Sequence, residues 1–103
     1  MQLDRRCLVE LQDIIQDLHA LEERIRAYER KYGITSRDFY ELYQAGLLDD
    51  EGFEKTQEFT RWASAYEMKL EREAAFERLS RERVSRLRRR TPDRPIQLAP
   101  HFV

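Results

Sequence analysis

The sequence predicts an all-α protein: a long N-terminal heptad helix, a short middle helix and a long C-terminal helix packed as an antiparallel helical hairpin, followed by an extended Pro-containing tail. Three observations carry this. Apolar residues alternate by four and three along the first third of the chain. Only three Gly occur, and all three Pro lie after Thr91, so no proline interrupts a helix upstream. Charged residues make up 38% of the chain, a share typical of long helices with solvated faces.

The first helix is expected over about Leu3 to Tyr32. Cys7, Leu11, Ile14, Leu18, Leu21, Ile25, Tyr28 and Tyr32 form an a/d seam. A seam this regular needs a partner helix, from this chain or another. Gly33 ends the helix as a left-handed C′ residue. Thr35 then caps a short helix over about Ser36 to Ala45, with Asp38 at N3 and an Ile34–Phe39 hydrophobic staple. Gly46 ends it. The third helix is expected from about Asp50 to Arg89. Its first half carries the stripe Phe59, Trp62, Ala63, Tyr66 and Leu70. Beyond Glu71 apolar residues thin out, so that half either projects alone or is ordered by a partner. The hairpin alternative closes the first seam with the third helix.

The net charge of −1 hides a division. Residues 1–77 hold 11 basic and 18 acidic side chains, and residues 78–103 hold 8 and 2. This suggests an acidic helical body over 1–77, an Arg-rich helix extension over 78–90 and an extended C-terminal tail over 91–103. Such a molecule can meet two kinds of surface. The single cysteine, Cys7, forms no internal disulfide and suits a reducing cytoplasm. No apolar run reaches the length of a membrane span, and no secretory apolar segment follows Met1. The expectation is therefore a cytoplasmic protein without a membrane partner.

No constellation for catalysis, a cofactor or a metal stands out. His19 falls at a solvated heptad position, and His101 lies in the tail without an evident partner. There is no His-x-x-x-His, no Glu-x-x-His and no cysteine pair. Asp49-Asp50-Glu51 suits a helix N-terminus better than a calcium loop, because the alternate oxygen ligands do not continue. The expectation is a non-enzyme with no cofactor and no metal.

Three features remain for binding. Seven aromatics fall between Phe39 and Tyr66; most suit a core, with Tyr40 and Trp62 the best candidates for contact with a partner. An acidic surface that includes Asp13, Asp17, Glu22, Glu23, Asp49, Asp50, Glu51, Glu54 and Glu58 suits a basic partner. The basic end uses arginine alone: Arg83, Arg86, Arg88, Arg89, Arg90 and Arg94 are its partner-binding candidates, since guanidinium forks grip phosphate or carboxylate. Ile96, Leu98 and Phe102 add apolar contacts in the tail.

Between Leu21 and Leu70 the chain resembles the antitoxins of two-gene toxin–antitoxin modules, small bacterial and archaeal proteins encoded next to toxins. The resemblance rests on Leu21-Glu22-Glu23, Tyr32-Gly33-Ile34-Thr35-Ser36, Phe39-Tyr40, Tyr43-Gln44-Ala45-Gly46-Leu47, Asp49-Asp50, Phe53 and Trp62-Ala63-x-x-Tyr66-Glu67-Met68. It implies a non-catalytic subunit that binds and neutralises a cognate toxin, such as a nuclease, with Tyr40, Tyr43, Asp50, Trp62 and Tyr66 on the shared pattern. After Leu70 the chain departs from that group. The alternatives are a nucleic-acid-binding accessory protein using residues 78–94, and a coiled-coil adaptor or assembly subunit forming a homodimer through the 7–32 seam.

Overall fold

In the computed structural model the backbone is described for residues 2–49 and 51–98, and the side chains for 10–49 and 51–98. Three helices occur among these residues: α1 (Gln2–Tyr32), α2 (Ser36–Gln44) and α3 (Phe53–Arg90). α1 and α3 run antiparallel side by side, and α2 lies across the pair near the bend. The order of contacts shows the antiparallel sense. Tyr32 meets Phe59, Tyr28 meets Trp62, Leu21 and Ile25 meet Ala65, and Asp17 meets Arg72.

The molecule is a rod. Its extents are 60 × 25 × 19 Å and its radius of gyration is 18.8 Å, against about 13 Å for a compact chain of this size. The 38 residues of α3 account for roughly 57 Å of that length at 1.5 Å per residue.

Local sequence sets the helix ends. Thr35 has extended backbone geometry, and its hydroxyl accepts a hydrogen bond from the Asp38 N–H at 3.1 Å. Ile34 packs on the cluster that holds Phe39, as a staple requires. At the other end of α2, the Leu47 N–H donates to the Leu42 carbonyl and the Gly46 N–H to that of Tyr43. This is a Schellman closure, and it needs the left-handed φ of 68° that Gly46 supplies. The start of α3 differs from expectation. Gly52 takes a φ of 103°, which no helical residue adopts, so the helix begins at Phe53 rather than near Asp50. Asp50 itself lies outside the described residues.

The core sits mainly at the α2 end. Phe39, Phe59, Trp62 and Ala63 form its centre, with Tyr28, Ile34, Tyr40, Tyr43 and Leu48 packed around them. A second cluster of Leu21, Ile25 and Ala65 continues along the α1–α3 seam. Ile14 is also buried, and Leu11 and Leu18 are half-buried. From Leu11 to Tyr32 the heptad seam of α1 thus faces α3 of the same chain. The Cys7 side chain lies outside the described residues.

The far half of α3 does not project alone. Arg72 bonds Asp17 of α1 at 3.0 Å. Farther out, Leu11 of α1 lines a cavity of about 130 Å³ with Phe76, Leu79, Ser80 and Arg83 of α3. Helix α3 also runs unbroken through residue 78, where the charge composition changes.

Candidate interaction surfaces

Of the two aromatic candidates, Trp62 is taken up by the fold. It is 0% exposed. Its ring lies 3.7 Å from that of Phe39 at 7°, and it stacks on Tyr28 and Tyr32 at 5.5 and 5.7 Å. The expectation of a Trp62 contact with a partner fails here for a physical reason. α2 closes over α3 at this point, and the indole N–H finds its acceptor inside the chain. Nε1 donates to the buried Ser36 Oγ at 2.8 Å, while the Ser36 hydroxyl and N–H both donate to Glu29 Oε2 at 2.8 Å. Burial pushes the Glu29 carboxyl up, but the two Ser36 bonds and Arg26 together hold it below the usual glutamate range. Tyr40 is half-buried. Its ring lies 5.2 Å from Tyr66 and 6.5 Å from Tyr43, so it sits where the aromatic cluster meets the surface.

A second polar cluster ties α1 to α3 at the surface. Lys31 Nζ lies 2.9 and 3.0 Å from the Glu58 oxygens, and the Tyr32 hydroxyl donates to Glu58 Oε1 at 2.8 Å. The hydrogen bond to Glu58 raises the Lys31 amine and lowers the Glu58 carboxyl. Burial, then the bond to Glu58, raises the Tyr32 phenol. These bonds are structural. They hold the end of α1 against α3 beside the core.

The arginine candidates are spread around α3 and do not share a face. At 100° per residue, Arg83, Arg86 and Arg90 fall on the side of α3 that carries Phe76 and Leu79 toward α1, and Arg78, Arg81, Arg88 and Arg89 fall on the opposite side. Arg83 is half-buried beside the Leu11–Leu79 cavity, which Arg86 also lines. Arg78, Arg81, Arg86 and Arg89 border a shallow strip that also contains Glu77 and Glu82. Arg88, Arg89 and Arg90 form the last turn of α3, where positive charge favourably meets the helix dipole. Arg94, Ile96 and Leu98 lie in the non-helical tail and are exposed; Phe102 lies outside the described residues. The structure does not bring the tail candidates together with Tyr40.

Among the acids of the bend stand two exposed apolar side chains that sequence reasoning missed. Leu47 is 72% exposed and Phe53 is 76% exposed, the first just after α2 and the second at the start of α3. Between them Asp49 and Glu51 are exposed, with the Glu51 N–H donating to Asp49 Oδ1 at 3.1 Å, and Glu54 follows. Phe53 does not belong to the stripe of Phe59, Trp62, Ala63, Tyr66 and Leu70. The signal that separates it from the core is Gly52, which makes Phe53 the first helical residue and leaves no preceding turn to cover its ring.

Among the described residues no group of three or more His, Cys, Asp or Glu is arranged to hold a metal, and no helix is long and apolar enough to cross a membrane. Comparison with protein-family models, curated proteins and solved structures found no match.

Proposed function

We propose that this chain is a non-catalytic protein-binding subunit, and, in the finer form implied by its resemblance to antitoxins, one that binds and neutralises a basic toxin. The observation that supports this is the bend surface. Leu47 and Phe53 leave most of their apolar area in water, where burial of each side chain against a partner is worth about 1.5–3 kcal/mol. Asp49, Glu51 and Glu54, exposed and next to them in sequence, add negative charge. Apolar anchors inside an acidic rim suit a partner whose own groove is apolar and basic, and the rim speeds encounter with it. Nucleic-acid binding through residues 78–94 has weaker support, because the arginines surround α3 and alternate with Glu77 and Glu82.

The test is co-expression with the protein encoded beside this gene. The expected result is a stable complex and restored growth of cells that the neighbour alone arrests. Leu47→Ser with Phe53→Ser should abolish both while leaving helix content unchanged. Absence of a complex and of rescue by the unmodified chain refutes the proposal.

A further inference from the structure

One face of α3 is covered by α2 for only part of its length. Phe59, Ala63 and Tyr66 share this face, spaced by four and three, and α2 rests on it through Phe39 and Tyr40. The same spacing continues the face through Leu70, Glu73, Glu77, Arg81, Val84 and Arg88. Leu70 is 45% exposed and Val84 is 40% exposed. Among the described residues no helix packs there, since α3 meets only α1 and α2.

This uncovered stretch is complementary to itself when reversed. About Glu77, Leu70 falls opposite Val84, Glu73 opposite Arg81, and Tyr66 opposite Arg88. Apolar meets apolar, acid meets base, and an aromatic ring meets a guanidinium. The stretch also has the right limits. It begins at Tyr66, where α2 stops covering the face, and ends at Arg88, two residues before α3 ends at Arg90. Its midpoint is Glu77.

We infer that this face binds the same face of a second copy of the chain, with the two α3 helices antiparallel and crossing at Glu77. The two hairpins then lie side by side, joined through their α3 helices. The second copy's Arg88 reaches the Tyr66 ring beside Tyr40, and each Glu73–Arg81 pair forms twice by symmetry. Two Glu77 carboxylates approach at the axis, each already within 3.8 Å of its own Arg81. The local pairs that compete are weak: Lys69–Glu73 is 4.0 Å long and Glu77–Arg81 is largely exposed. This interface is not the α1 seam, which α3 already covers from Leu11 to Tyr32. It leaves the bend surface free, so a dimer presents one such surface at each end.

The test uses the full chain and a charge-swap cycle read by sedimentation equilibrium from about 1 µM to about 1 mM. The unmodified protein is expected to approach twice its 12.5 kDa mass. Glu73→Arg or Arg81→Glu alone replaces two attractions by two repulsions and should weaken the dimer roughly tenfold or more. Combining them should restore it to near its original strength. Within one chain these positions lie about 12 Å apart along the helix axis, too far to pair directly, so the pairing that rescue restores lies between copies. Glu77→Gln should tighten the dimer. Circular dichroism checks that each variant keeps its helices. A monomer at every concentration, a dimer indifferent to both single changes, or a double variant as weak as the singles overturns the inference.

Discussion

Replacing Ser36 by Ala tests the account of the core most directly. Ser36 Oγ accepts from the Trp62 indole and donates to Glu29 Oε2, both at 2.8 Å. Trp62 has no exposed surface, so the truncated site leaves its N–H buried without an acceptor, at about 1–3 kcal/mol. The lost hydrogen bond to the Glu29 carboxylate adds a further amount of about 1 kcal/mol, because the Ser36 N–H and Arg26 still hold Glu29. The expected total is about 2–4 kcal/mol, a large fraction of the stability of a small domain. Trp62 is the only tryptophan, so its fluorescence reports on this site while circular dichroism reports on the helices in the same urea titration. Trp62→Phe removes the stranded donor. In that background Ser36→Ala should therefore cost at least about 1 kcal/mol less than in the unmodified chain. A cost below about 1 kcal/mol, or strict additivity in the cycle, would refute the reasoning.

Three further outcomes follow from the geometry. Gly46→Ala forces a side chain into the left-handed conformation of the Schellman turn and should destabilise the fold by about 1 kcal/mol, read as a lower urea midpoint. Glu58→Gln should lower stability at neutral pH. Because the folded Glu58 carboxyl is depressed, its contribution is present above the unfolded value and lost as pH falls through the folded one. The raised Lys31 amine works in the opposite sense: its contribution is complete below the unfolded value and lost as pH rises through the folded one. The difference between Glu58→Gln and the unmodified chain should therefore shrink at both acidic and strongly alkaline pH; a difference independent of pH would argue against the ion pair. Leu47→Ser and Phe53→Ser should leave the thermal midpoint nearly unchanged, since both side chains are exposed. A drop of more than about 5 °C would show instead that they serve the fold.

Much of the fold is legible in the sequence. The α1 seam, the Thr35 cap with Asp38, the Ile34 staple and the Gly33 and Gly46 stops are local rules, and each appears where its residues stand. Two features resisted. Trp62 has the chemistry of an interface anchor, and only the tertiary approach of Ser36, 26 residues away in sequence, turns its N–H inward. The charge-rich half of α3 has too few apolar residues to announce its packing. It lies along α1 because the antiparallel register continues past Asp17–Arg72, a long-range consequence that no short window contains. The bend surface was hidden for a related reason: periodicity says which side of a helix is apolar, but not where the covering neighbour ends.

The concentration of the core at the bend also bears on how the chain folds. Helices α1 and α3 are joined at that end through α2, so their first contacts, such as Tyr32 with Glu58 and Phe59, close the shortest loops between the two long helices. Pairings farther out, such as Asp17 with Arg72, span much more chain. Loop closure therefore favours starting at the turn and zipping toward the open end. Unfolding retraces the same track in reverse. The packing around Trp62 is the last to open, and amide hydrogen exchange should slow steadily from the free ends of the hairpin toward it.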